Sequence, residues 1–219
     1  MSTEKKKHPG PLTQIAAGFV ILAAITGYYL FQADPRKAGP AETAAEAPVA
    51  AAPAAASGVT RALATGTLAA FLVHPEPKPL PDIAFADGEG KPLKLSDWKG
   101  RVVLINLWAT WCAPCRKEMP DLAKLQAELG SDQFEVVAIS VDRKGAEASS
   151  AFLKETEADA LKLYVDPTTK IVGELQSAGL PATILVDRQG RELGRLLGPA
   201  HWAAPEAVAL IKAALSAPD

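Results

Sequence analysis

The sequence predicts an α/β domain, and three observations predict it. The run Val102-Val103-Leu104-Ile105-Asn106-Leu107-Trp108 is nearly continuous in apolar residues, as a parallel strand covered on both faces should be. It leads into Trp111-Cys112-Ala113-Pro114-Cys115, which holds the only two cysteines among 219 residues. Beyond them Leu122, Leu125 and Leu129 recur at helical spacing, and strand and helix patterns then alternate to the C-terminus. A C-x-x-C where a strand gives way to a helix is a signature of thiol–disulfide chemistry. With no other cysteine present, the pair bonds to itself or to another protein.

The first ~70 residues stand apart from this domain by composition. Lys5, Lys6 and Lys7 precede an uncharged stretch over 12–31 that contains Ile15, Phe19, Val20, Ile21, Leu22, Ile25, Tyr28 and Tyr29. Some twenty residues at ~1.5 Å each span ~30 Å, the hydrocarbon thickness of a bilayer. The stretch is read as a transmembrane anchor, with 1–11 on the cytoplasmic side because the lysines precede it. A cleaved signal peptide is the alternative; the length of the stretch and the poor small-x-small pattern near Ala33 count against it. Residues 32–70 form an Ala/Pro-rich linker. Its first part, with Pro35, Pro40, Pro48 and Pro53 and no aromatic residue up to Gly58, cannot repay the entropy of folding. Val59 to Leu72 is more apolar and can form a short helix packed on the domain or near the membrane.

The globular domain is expected over 71–219. His74 to Pro81, rich in proline, makes an extended approach. Ile83–Ala86 and Lys91–Leu95 flank Asp87-Gly88-Glu89-Gly90 and read as an N-terminal β-hairpin. Arg101–Trp108 is the central strand, and a helix follows to about Leu129. Phe134–Val141 is a strand and Ala146–Thr156 a helix. Leu161–Val165 and Thr168–Leu175 form a central insert of a short strand and a short helix. Ala182–Val186 and Glu192–Leu197 are strands joined by a tight turn, and the last helix runs from about Pro205 to Ser216. No internal repeat is visible.

A thiol attacks a disulfide only as its thiolate, so a catalytic cysteine needs a lowered pKa and an exposed sulfur. Cys112, at the mouth of a helix, meets unpaired backbone N–H groups and the positive end of the helix dipole. Pro114 suits the first helical turn, where a missing N–H costs nothing. Cys115 falls one turn inward and should be more buried. Cys112 is therefore read as the attacking residue and Cys115 as the resolving one. Glu118, three residues on, can take the Cys115 proton, or it can merely complement the helix dipole. Arg116 and Lys117 read as solvated charges able to favour a thiolate. Pro120 should bend the helix. Trp108 reads as core; Trp111 reads equally as packing or as apolar surface offered to a partner. Gly179-Leu180-Pro181-Ala182-Thr183 suggests a cis Leu180–Pro181 bond whose backbone pairs with a substrate peptide.

Trp-Cys-x-x-Cys after a buried strand, Pro120 beyond it, and the downstream Gly-x-Pro-x-Thr together resemble the thioredoxin superfamily. Asn106 through Pro120 is similar to the TlpA/ResA/CcmG branch of membrane-anchored thiol:disulfide oxidoreductases, and the anchored, tethered organisation is most like TlpA. The resemblance implies a thioredoxin-like fold and a functional Glu118. It also implies contact with substrate through Trp111, Ala113, Pro114, Leu180 and Pro181. Asn106 stands where thioredoxin has a buried acid, so proton acceptance falls to Glu118 or water. The resemblance further implies a single-pass inner-membrane protein with a periplasmic catalytic domain, reduced by a DsbD/CcdA-like membrane protein. Its substrates would be oxidised cysteine pairs in apocytochrome c or cytochrome oxidase assembly factors. No cofactor beyond the Cys112–Cys115 pair is expected.

The same residues admit other readings. A copper-binding or metallochaperone module needs a further soft or imidazole ligand beside the two sulfurs, and only His8, His74 and His201 exist. A thiol peroxidase usually carries Thr or Ser three residues before its cysteine, whereas Thr110 precedes Cys112 by two. A purely structural disulfide over so short a loop stabilises little. From Phe71 onward 17 basic residues face 21 acidic ones, which gives no electrostatic reason to expect nucleic acid.

Overall fold

A computed structural model describes residues 58–218. The expected cytoplasmic segment 1–11, the anchor 12–31 and the linker up to residue 57 lie outside the described residues. Among the described residues no helix is long and apolar enough to cross a membrane.

The central strand forms where the apolar run placed it. β4 (Val102–Trp108), β5 (Phe134–Ser140) and β7 (Ala182–Val186) are buried along their whole length. Strands that bury both faces need no alternation of polar and apolar residues, which is why they read as continuous apolar runs. β4 pairs in parallel with β5 and antiparallel with β7, in a register that sets Asn106 opposite Thr183 and Leu107 opposite Ala182. The remaining strands are β1 (Leu72–Pro79), β2 (Ala84–Asp87), β3 (Pro92–Lys94), β6 (Tyr164–Val165) and β8 (Arg191–Leu197). All eight form one mixed sheet in the order β1-β8-β7-β4-β5-β6-β2-β3. Among the described residues four α-helices accompany it: α1 (Ala113–Leu129), α2 (Gly145–Glu155), α3 (Lys170–Glu174) and α4 (Pro205–Leu215). This is the thioredoxin-like α/β fold, with its expected N-terminal hairpin and central insert. The insert strand β6 connects them, since β2 of the hairpin pairs with β6 and β6 with β5.

Three expectations need correction or completion. The linker does not extend to residue 70: 3-10 turns at Arg61–Leu63 and Gly66–Leu68 pack against α4, and Val59, Leu68 and Phe71 are fully buried. Apolar residues there, absent from the preceding Ala/Pro stretch, supply burial that outweighs the ordering cost. The backbone expected to be extended over His74–Pro81 is extended, and it joins the sheet as well: β1 (Leu72–Pro79) is an edge strand antiparallel to β8, with a register shift between Val73 and Lys78. Prolines are tolerated there because an outer strand has one face of its ladder unpaired. Gly194 makes this pairing possible, since a Cβ on it would come within 2.4 Å of the Leu72 carbonyl oxygen. Finally, the second hairpin strand stops at Lys94, and Leu95–Trp98 forms a 3-10 turn held by Asp82 and Asp97, which accept from the Ser96 and Lys94 amides.

Candidate active site

Sequence order places the cysteine motif at the C-terminal end of β4, and the sheet register brings the Leu180–Pro181 peptide to the same end. Leu107 lies opposite Ala182, so Pro181 is level with Trp108. The Leu180–Pro181 bond is cis, as expected from the Gly-Leu-Pro-Ala-Thr segment, with Pro181 buried and Leu180 partly so. Pro181 still lends its carbonyl to the Gly198 amide at 2.9 Å, which fastens the loop to the end of β8.

Cys112 and Cys115 form a disulfide with Cα atoms 5.3 Å apart. Cys112 is the N-cap of α1, and its Sγ accepts a hydrogen bond from the Cys115 amide at 3.2 Å. The arrangement is the anion site that an unsatisfied helix N-terminus provides, here aimed at sulfur. Pro114 falls in the first turn, as anticipated. The expectation of an openly exposed Cys112 needs correction. It retains 5% of its surface and Cys115 none, with the two sulfurs joined in the disulfide. The difference still decides which sulfur a partner reaches. Around it Ala113 is exposed, Pro114 half-buried and Trp111 69% exposed. Trp108, from the same motif, is fully buried and stacks on Phe152 of α2 with ring centroids 4.9 Å apart. Arg116 is not a free solvated charge: its guanidinium lies over the Phe152 ring and pairs with Glu155 at 2.9 Å. α1 continues through Pro120 to Leu129.

Glu118 is buried in spite of its charge. Its position in α1 puts it on the face of Cys115, one turn further along. Burial pushes its pKa up to about 7. Hydrogen bonds from the Asn106 side chain and the Ala200 amide and a weaker interaction with Trp202 oppose this, while the Asp121 charge adds to it. Asn106 Nδ2 donates to Glu118 Oε1 at 2.7 Å, and the Ala200 amide reaches Oε2 at 3.4 Å. A cleft of about 330 Å³ lined by Thr67, Lys117, Pro199, Ala200 and His201 opens onto the carboxyl. Glu118 is therefore a buried acid with solvent access and a pKa suited to accepting a proton near neutrality.

Sequence reasoning missed two members of this site. Asn106, set aside because an amide holds no proton, is the principal hydrogen-bond donor to Glu118; the signal was the one polar residue in an apolar strand. Asp142, just beyond β5, accepts from the Thr110 amide at 3.2 Å and from the Thr110 hydroxyl, and so fixes the loop that delivers Trp111 and Cys112. Burial raises its pKa, but these bonds and the Lys144 amide outweigh burial and hold it below the usual carboxylate range. Of the histidines considered as further metal ligands, His74 is engaged with Glu192 at 2.8 Å and His201 with Asp121 at 3.2 Å, and His8 lies outside the described residues. Among the described residues no three His, Cys, Asp or Glu side chains cluster to hold a metal.

A redoxin family model matches residues 75–211, well over half of the chain. The chain belongs to the redoxin family. This redoxin is 33% identical over 121 residues to the thiol-disulfide oxidoreductase ResA of Bacillus cereus, covering 55% of this chain and 69% of that protein. It is 36% identical over 100 residues to the thiol:disulfide interchange protein HelX of Rhodobacter capsulatus, covering 46% and 54%. Among solved structures it is similar to a DsbE-type thiol:disulfide interchange protein from Chlorobium tepidum (31% identity, 64% of this chain and 97% of that one, TM-score 0.58). A DsbF homologue from Corynebacterium diphtheriae is similar too (28% identity, 66% and 90%, TM-score 0.54). The redoxin is thus a thiol:disulfide oxidoreductase of the ResA/CcmG-like kind.

Proposed function

We propose that this redoxin is a membrane-anchored reductase of protein disulfides, acting on the periplasmic side of an inner membrane in cytochrome oxidase or cytochrome c biogenesis. The observation that carries the reductase assignment is Glu118, an acid with a pKa of about 7 one helical turn from the buried Cys115. The uncharged stretch over 12–31 with lysines before it supports the anchor and its direction. The likeness to ResA and HelX supports thiol–disulfide exchange, and the resemblance of Asn106 through Pro120 to the TlpA/ResA/CcmG branch supports oxidised cysteine pairs of apocytochrome c or oxidase assembly factors as substrates, and a DsbD/CcdA-like membrane protein as the source of electrons.

In the reduced enzyme the Cys112 thiolate, held by the Cys115 amide and the helix N-terminus, attacks one sulfur of the substrate disulfide. The other substrate sulfur leaves as a thiolate and takes a proton from solvent. Cys115 then gives its proton to the Glu118 carboxylate and attacks Cys112 Sγ, which expels the second substrate thiolate. The substrate gains two electrons, and the enzyme is left as the Cys112–Cys115 disulfide seen here. Trp111, Ala113, Pro114 and the Leu180 backbone form the surface that receives the substrate chain.

The expected outcome for Cys112→Ser is complete loss of disulfide reduction; Cys115→Ser should accumulate a covalent adduct with an oxidised protein substrate, visible on a non-reducing gel. Wild-type turnover in both single variants would overturn the assigned roles. The full chain should sediment with membranes and resist carbonate extraction, with its C-terminal domain open to protease added outside the inner membrane. Recovery in the soluble fraction would remove the anchor from the reading and leave the chemistry standing.

A further inference from the structure

Asn106 lies at the middle of β4, fully buried, with its side chain between α1 and β7. Both of its N–H donors are committed, one to Glu118 Oε1 at 2.7 Å and one to Thr183 Oγ1 at 2.9 Å. Its Oδ1 is buried without a hydrogen-bond partner. A central strand gains nothing from a buried amide with an unpaired acceptor, since an unsatisfied buried oxygen costs free energy that an aliphatic side chain would not. The residue is understood if its donor matters more than its acceptor.

We propose that Asn106 is a positioning residue for the exchange: it holds the Glu118 carboxylate toward Cys115 and ties it to β7, the strand that follows the cis peptide. An N–H donor stabilises a carboxylate more than the neutral acid, so this bond favours the form able to accept a proton. The tie to Thr183 runs straight across the β4–β7 pair and sits two residues beyond Pro181. Substrate pairing at Leu180 and proton acceptance at Glu118 thereby share one rigid frame. The other groups facing the carboxyl are Asp121 on α1 itself, and the Ala200 amide and Trp202 from the segment before α4. Lys117 and His201 stand along the cleft. Among the described residues the sheet side contributes Asn106.

The proposal rests on Glu118 as the proton acceptor, and the test separates the two. Full-length reduced protein is titrated between pH 5 and 9 by the carboxyl 13C shift of Glu118, and its single-turnover oxidation by oxidised glutathione is followed by tryptophan fluorescence. Asn106→Leu is expected to raise the midpoint of both curves by about one pH unit, which is about tenfold in rate on the acid side. Glu118→Gln should abolish the part of the limb that follows the Glu118 carboxyl shift and leave that of the Cys112 thiol, and Asn106→Leu added to it should change nothing more. Thr183→Val, which leaves one Asn106 donor unpaired, should shift the midpoint in the same direction by less, and it carries the test if Asn106→Leu does not fold. An Asn106→Leu rate lowered equally at every pH, or a further loss in the Glu118→Gln background, would make Asn106 merely structural and overturn the proposal. An acid limb with the same midpoint and amplitude in Glu118→Gln as in wild type would instead overturn Glu118 as acceptor, and Asn106 with it.

Discussion

Trp108 and Trp111 stand three residues apart in one motif and meet opposite fates. Trp108 ends β4 and is wholly enclosed; Trp111, past the strand end, is 69% exposed, and among the described residues only Leu72 and Leu197 are comparably exposed large apolar side chains. An exposed indole contributes little to folding, and it offers a large rigid surface to a partner at small entropy cost. Leu197 closes on the same region, since β8 pairs it with Ala182 next to the cis peptide. Trp111→Ala should therefore alter the unfolding free energy by less than about 0.5 kcal/mol. Its kcat/KM for an oxidised protein substrate should fall several-fold more than for oxidised glutathione. Equal losses for both, with a changed denaturation midpoint, would show that Trp111 packs rather than docks.

At the scale of elements, the least anticipated is the segment that precedes β1. Leu68 is fully buried, the Thr67 amide donates to the Glu206 carboxylate of α4 at 3.2 Å, and Arg61 donates to the Phe71 carbonyl at 2.8 Å. The same Thr67 lines the cleft to Glu118, so the segment also shapes the approach to the site. Leu68→Ala should cost about 2–4 kcal/mol, as burial and cavity terms add in a closed core; a loss below about 1 kcal/mol in urea denaturation would mean that the segment is only laid against the domain. Val59–Leu72 was legible only as a short helix on the domain or near the membrane, and β1 only as an extended approach, because each depends on a distant partner and carries weak periodicity of its own. Residues 61–68 need α4, and a strand with prolines at 75, 77 and 79 needs Gly194 opposite it. β4, α1, β5 and β7 were legible because apolar continuity or helical spacing within one segment determines them. The site divides in the same way. The cysteines, Glu118 and Pro181 declare themselves by spacing, whereas Asn106 and Asp142 acquire roles only when β4 meets β7 and the loop after β5.

For the whole molecule, the buried acids pull stability in opposite directions with pH. Burial raises Glu135, but Tyr164, Lys162, Trp98 and Arg101 outweigh it and hold its pKa below the ordinary value. Glu192 is likewise raised by burial and lowered by more through Arg195 and His74. Acids lowered on folding contribute stability that is present above their unfolded pKa and lost as pH falls through the folded one. Glu118 has the reverse sign. Its folded pKa of about 7 exceeds the ordinary 4.5, so the folded state binds the extra proton between those values. Stability from this residue is complete below pH 4.5 and is lost as pH rises to about 7. The shift corresponds to about 3 kcal/mol at its limit. The wild-type protein should therefore be less stable at pH 8 than at pH 5.5, and Glu118→Gln, which cannot ionise, should remove that difference. At pH 8 the variant should exceed wild type by about 1–3 kcal/mol, the lower figure reflecting a Gln amide that fits the Ala200 N–H less well than a carboxylate. Urea denaturation of both proteins at the two pH values measures this directly. A wild-type midpoint that does not fall between pH 5.5 and 8 would mean that the carboxyl is ionised without penalty, and it would remove the reason for calling Glu118 a proton acceptor. A fall in wild type together with a more stable, slower Glu118→Gln would instead show that the fold gives up stability at neutral pH to keep one acid poised beside Cys115.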